Sequence, residues 1–154
     1  MLTIREMQVH DIERCIWVRT QTRENRWSME ALQRAGITAE SVGARLDTTH
    51  RGWVCECEGQ VVGFSMGDRS SGELWVVAVL PDFEGRGIGT RLLEAAQEWL
   101  HANGWEEIWL WTSPDTSTRA YTLYSRRGWR DCGVKDGQLL MRRRRLTSGF
   151  GEPA

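Results

Sequence analysis

A chain of 154 residues, 40% hydrophobic and 27% charged, has the composition of one soluble domain large enough to bury its own core. A net charge of −1 removes any global pull toward nucleic acid or anionic membrane, no apolar run reaches the length of a bilayer span, and the charged opening Met1–Arg14 lacks the apolar stretch of a signal peptide. The expectation is a cytoplasmic protein with four reduced cysteines and no metal: Cys55 and Cys57 share one strand face, but the three histidines form no ligand pair to complete a site.

In chain order, Leu2–Glu6 reads as a first strand, and apolar Ile12, Cys15, Ile16 and Val18 mark an amphipathic helix from His10 to about Gln21. Residues 22–50 have no dominant period; Ser28 and Thr38 are each placed to cap a short helix, with Gly36 between them. Strands Gly52–Cys57 and Gln60–Met66 flank a Glu58-Gly59 hairpin signal, and Asp68–Gly72 is a polar turn. Leu74–Leu80 is apolar on both faces, as an interior strand is, and Pro81 ends it. Ile88, Leu92, Ala95, Ala96, Trp99 and Leu100 give the clearest helix, Gly87–Asn103, stopped by Gly104. A strand over Glu107–Trp111, a helix over Ser117–Arg127 and a hairpin of Trp129–Cys132 with Gln138–Met141 complete the pattern. The sum is a mixed α/β (α+β) domain with a largely antiparallel sheet over residues 1–146 and a frayed tail over 147–154. The run Arg142–Arg145 reads as a solvated strand end and not as a nucleic-acid arm.

One stretch carries chemistry: Leu80-Pro81-Asp82-Phe83-Glu84-Gly85-Arg86-Gly87-Ile88-Gly89-Thr90. A buried strand ends, a glycine-rich turn follows, and the long helix begins within it. Free amides at a helix start, with the helix dipole behind them, favour an anion, and Arg86 and Arg91 add positive charge. A pyrophosphate suits such a turn. The Gly-Lys-Ser/Thr ending of a P-loop is missing, and the turn follows about the fourth strand instead of the first strand of a βαβ unit, which argues against a dinucleotide fold.

The segment from Pro81 to Leu93 resembles the acyl-CoA-binding signature of the GNAT superfamily, the Gcn5-related N-acetyltransferases, whose pattern is Arg/Gln-x-x-Gly-x-Gly/Ala. Here Glu84 to Gly89 keeps the last two glycines and replaces Arg/Gln with a carboxylate. Ala120-x-x-Leu123-Tyr124-x-x-x-Gly128-Trp129 is similar to the family's second motif, with Ser117 where Asn is usual. The resemblance implies acetyl-CoA as co-substrate and an amine of a small molecule or protein as acceptor. A homodimer stays among the expected partners, because many members of the family are dimers.

The resemblance also implies residue roles. Val77, Ala78 and Val79 would face the pantetheine, and the amides of Gly85, Arg86, Gly87, Ile88, Gly89 and Thr90 would take the pyrophosphate. Ser117, lacking the reach of Asn, would make its cofactor contact through water. Tyr124 is the candidate general acid; the bland alternative is a core tyrosine with a satisfied hydroxyl. Glu73 is the candidate general base, eleven residues before Glu84; the alternative is an exposed carboxylate that only attracts a cationic amine. Glu84 beside a pyrophosphate would repel it unless turned outward or compensated by Arg86 or Arg91. Two functions follow: transfer of acetyl to an amine by direct attack, or an inactive module that binds acyl-CoA. The first helices and the loop after Tyr124 would form the acceptor cleft, with Trp27, Trp53 and Trp111 as candidate walls.

Overall fold

Seven strands form one sheet in the order β1-β2-β3-β4-β5-β7-β6. They are β1 (Leu2–Glu6), β2 (His50–Cys57), β3 (Gln60–Asp68), β4 (Glu73–Val79), β5 (Glu107–Thr112), β6 (Arg130–Lys135) and β7 (Gln138–Arg144). The structure is a computed structural model and describes residues 1–146, so the tail expected to fray lies outside it. All neighbouring strands are antiparallel except β4 and β5. The α/β class, and the largely antiparallel sheet within it, are as expected.

Helices cover both faces of the sheet. On one, α1 (Ile12–Gln21) and α3 (Ala39–Thr48) bury Ile12, Cys15, Val18 and Val42 against Val54, Phe64 and Met66. The short α2 (Met29–Arg34) lies between them in sequence and buries Leu32. The ambiguous stretch 22–50 is governed by its caps: Ser28 Oγ accepts from Ala31 N (3.0 Å) and Thr38 Oγ1 from Ser41 N (3.1 Å). On the other face, α4 (Ile88–Ala102) and α5 (Arg119–Arg126) bury Leu93, Ala96, Leu100 and Tyr124 against Leu74, Ile108, Leu110 and Met141. Small residues on β3 let α4 lie close. A Cβ on Gly63 would stand 3.2 Å from Leu92, one on Gly67 3.3 Å from Leu100, and between them Ser65 Oγ donates to Leu92 O (2.9 Å).

Two expectations need correction. The last helix starts at Arg119, not Ser117: Thr118 is its N-cap, with Oγ1 accepting from Tyr121 N (3.1 Å). Ser117 is held outside the helix by its bonds to Asp115, so it shares no helix face with Tyr124. The arginine run is also not a solvated end throughout. Arg142–Arg144 extend β7 against Glu107–Trp109 of β5, and strand alternation turns Arg143 inward to 8% exposure. There its Nε donates to Arg127 O (2.8 Å), and its Nη1 lies 3.2 Å from His101 Nε2.

Candidate active site

The site begins as a defect in the sheet. β4 and β5 share one ladder position, Glu73 opposite Trp109, and then diverge. On its other edge β4 is paired with β3 as far as Val79, and Leu80 N donates to Val62 O (2.9 Å). Main-chain groups point to alternate edges of a strand, so those of Val77 and Val79 aim away from β3 into the gap. A second irregularity lies lower on β4. Met66 pairs with Val76 and Gly67 with Leu74, which leaves Trp75 as a bulge. Strict alternation would put Glu73 on the α4 face with Val77 and Val79. The bulge moves Trp75 and Val76 together onto the α1/α3 face, returns Leu74 to the α4 face, and sends Glu73 to the opposite side.

Beyond β4, the turn delivers the start of α4 to the head of the gap. Gly85 and Gly87 both have φ of +80°, a conformation that L side chains rarely adopt, and Gly87 is the N-cap of α4. Ser28, Thr38 and Thr118 cap their helices with hydroxyls; a glycine has no side chain to do so. The first intrahelical bond of α4 runs from Arg91 N to Gly87 O, so the amides of Ile88, Gly89 and Thr90 have no helical acceptor. They line, with β4, β5 and α5, an open cleft of about 870 Å³. Of the residues expected at the cofactor, Val77, Ala78, Val79, Gly85, Gly87, Ile88, Gly89, Thr90, Ser117 and Tyr124 all border this cleft. The guanidinium of Arg86 instead lies over the Phe83 ring, 5.0 Å from its centroid.

The carboxylate that breaks the family pattern is balanced, though not by Arg86 or Arg91. Glu84 Oε1 accepts from Arg23 Nε at 2.9 Å and lies 3.7 Å from Arg119 Nε. Beside it, Arg119 N, in the first turn of α5, donates to Glu24 Oε1 at 2.8 Å. The α1–α2 loop therefore straps across the cleft. No local sequence signal announces Arg23, Glu24 or Arg119, because their partners lie far along the chain: Arg23 is 61 residues from Glu84, and Glu24 is 95 from Arg119.

Tyr124 is only 6% exposed, and burial pushes its hydroxyl up to about 12 against an opposing pull from the Arg19 charge. Among the described residues no side-chain oxygen or nitrogen is both buried and unpartnered, and Tyr124 Oη has no partner there, so the hydroxyl of this cleft-bordering residue is not fully enclosed. Glu73 is half-buried and pushed up to about 7, chiefly by burial and then by the Asp68 charge, with Arg45 pulling the other way. It borders a second, smaller cavity of about 250 Å³. The two spaces meet along Arg19, Asn25, Trp75, Val76 and Trp111, which line both.

Of the three tryptophans expected as walls, Trp27 and Trp111 line the smaller cavity. Trp53 does not: it packs edge-on against Trp99 of α4, centroids 5.8 Å apart, because its place on β2 faces that helix. Trp75, unforeseen, takes its place. Residues of the first helices line the smaller cavity, and among the described residues the chain beyond Tyr124 reaches it only through Gln138. Among the described residues no cluster of three potential metal ligands occurs, and no helix is long and apolar enough to cross a membrane.

Comparison with known proteins places this architecture. A family model described as the acetyltransferase (GNAT) family matches residues 7–129. An uncharacterized N-acetyltransferase of Methanocaldococcus jannaschii is 35% identical over 101 residues, 60% of this chain and 44% of its own length. A mycothiol acetyltransferase of Clavibacter sepedonicus is 35% identical over 81 residues, 51% of this chain and 26% of its own. The chain thus spans less than half the length of these curated relatives. Among solved structures, the PaiA N-acetyltransferase of Thermoplasma acidophilum, in complex with coenzyme A, superimposes with a TM-score of 0.80 at 18% identity, covering 94% of this chain and 99% of that one. The ribosomal-protein-S18-alanine N-acetyltransferase of Escherichia coli gives 0.73 at 18% identity, covering 98% of each. With the splayed strands and the family match over most of its length, the chain belongs to the GNAT family of acetyltransferases.

Proposed function

We propose that this chain transfers the acetyl group of acetyl-CoA to a primary amine by direct attack within a ternary complex. The observation that carries the reading is the gap between β4 and β5, which opens beside an uncapped helix start and holds the Tyr124 hydroxyl on its wall. The amides of Gly85 to Thr90 and the positive end of α4 suit the pyrophosphate. Extended pantetheine would run along β4 and complete its free edge. Val77 and Val79 then present N–H groups to the thioester oxygen, fixed donors for the charge that grows there as nitrogen attacks carbon.

Glu73 accepts the proton that the amine must lose. An ordinary glutamate at about 4.3 is a poor base for an ammonium; burial narrows the mismatch, each unit being worth about 1.4 kcal/mol. Tyr124 stays protonated at neutral pH and donates to the sulfur as the carbon–sulfur bond breaks. Its own acidity is weakened by burial, but the same water-poor surroundings raise the basicity of the departing thiolate, so the match survives. Ser117, on the cleft wall, supplies a hydroxyl toward the cofactor.

The ion pairs of Glu84 with Arg23 and Arg119 offset its charge and so support cofactor binding, which a silent binding module would share; Tyr124 on the cleft wall and Glu73 on the adjoining cavity favour transfer. Purified protein given acetyl-CoA and a panel of amines is expected to release free thiol in step with amide formation. Tight CoA binding with no release across the panel would reject catalysis.

A further inference from the structure

We propose that the smaller cavity selects monoamines with a compact apolar or aromatic body, seated with the amino group at Glu73. This rests on the transferase reading for the reaction and goes beyond it by naming the acceptor class.

The wall of this cavity is unlike that of the cleft. Phe64, Trp27, Trp75 and Trp111 give it aromatic faces, and aliphatic side chains such as Ile16 and Ile37 fill the intervals. Among the described residues Glu73 is the one carboxylate on the wall. Its polar company is Asn25, Gln138 and Arg19, and Arg19 is already engaged: Nη1 donates to Asn25 O at 2.6 Å, and the guanidinium lies over Trp27 at 5.7 Å. Trp75 is held from behind by His50, edge-on at 5.1 Å, and by Arg45 over its ring at 4.5 Å, so the aromatic face is fixed before any ligand arrives.

Charge and size then choose the occupant. One carboxylate balances one ammonium. A second cationic group would have to lie against apolar wall, where an unpaired charge is costly, or near Arg19, where it meets like charge. A volume of about 250 Å³ falls below the ~300–1,000 Å³ of sites for drug-sized ligands, which fits a body of one ring or a short branched chain. Polyamines and lysine side chains in basic peptides are thereby disfavoured.

Calorimetry with the CoA-loaded protein tests this without requiring turnover. The probes are 2-phenylethylamine, isoamylamine, putrescine and spermidine. The two monoamines are expected to bind at least about tenfold tighter than putrescine or spermidine, and Trp27→Ala to weaken them by a similar factor, with Trp27→Phe restoring most of the loss. If the alanine variant does not fold, Ile37→Ser gives the same reading from a half-buried wall position. Equal or tighter binding of putrescine or spermidine, or monoamine affinities unmoved by both wall variants, would overturn the proposal. Thiol release measured in parallel separates the two claims. Preferential monoamine binding without release keeps the cavity assignment and rejects the transferase; release from putrescine without monoamine preference does the reverse.

Discussion

The large cleft offers its ligand main chain, and the small cavity offers side chains. Free amides at the start of α4 and the open edge of β4 define the first; four aromatic rings, aliphatic groups and Glu73 define the second. Main-chain groups are the same whatever residues carry them, so a cofactor site built this way needs only glycines at the turn and a break in strand pairing. A side-chain wall changes with every substitution, so on the proposed reading the acceptor would be set by residues from α1, the α1–α2 loop, β3, β4 and β5 together. In the proposed reaction the two groups work from either side of the border, Tyr124 on the wall of the cleft and Glu73 on that of the cavity.

That division can be broken at four places. Tyr124→Phe should cost the most, about 100-fold in kcat at the low end of acid–base effects, with CoA affinity unchanged within about twofold. A thiol-release assay checks it, and an unchanged rate removes Tyr124 from the mechanism. Glu73→Gln should lower kcat/KM by about tenfold or more and flatten the acid limb of the pH profile, which in the parent rises through about pH 7 as the carboxylate ionises.

The same group makes a stability prediction of opposite sense. Its folded value lies above the unfolded one, so between the two the native state holds more protons, and the stability present at low pH is lost as pH rises through about 7 and then levels off. Glu73→Gln should therefore melt higher than the parent at pH 8, with little difference at pH 4. A lower melting temperature at pH 8 would place the carboxylate in a stabilising contact instead.

Gly87→Ala sharpens the contrast between the two spaces. A new Cβ would meet nothing within 4 Å, so the penalty is conformational, about 1–2 kcal/mol for a left-handed residue. CoA affinity should drop several-fold by calorimetry while monoamine binding in the small cavity stays put. Glu84→Gln should have the smallest effect. Freeing Arg23 and Arg119 beside the helix start should tighten CoA by a few-fold, an effect that fades as salt is raised. Weaker binding would mean that the strap matters more than its charge.

How much of this could be read from the chain follows the same division. The long helix, the interior strands and the glycine turn were legible because their signals are local: period, glycine spacing, hydroxyl caps. Even the irregular region 22–50 followed its two caps. The family pattern singles out the position of Glu73 but not its direction, since strand parity points it to the opposite face and only the Trp75 bulge turns it toward the small cavity. Glu84 was recognised as an anomaly, yet its partners came from the α1–α2 loop and the start of α5, which no local pattern links to it. Trp75 lines the small cavity in place of Trp53 for the same reason: which face a tryptophan takes depends on pairing registers set at a distance.

The most direct test of the account is a calorimetric titration of the folded protein with acetyl-CoA beside acetyl-pantetheine, which lacks the diphosphate. One-site binding of acetyl-CoA, with the truncated thioester weaker by at least about 100-fold, is the predicted result, since charge-assisted bonds to the helix start supply much of the affinity. Equal affinity for the two, or no binding of acetyl-CoA at all, would contradict it.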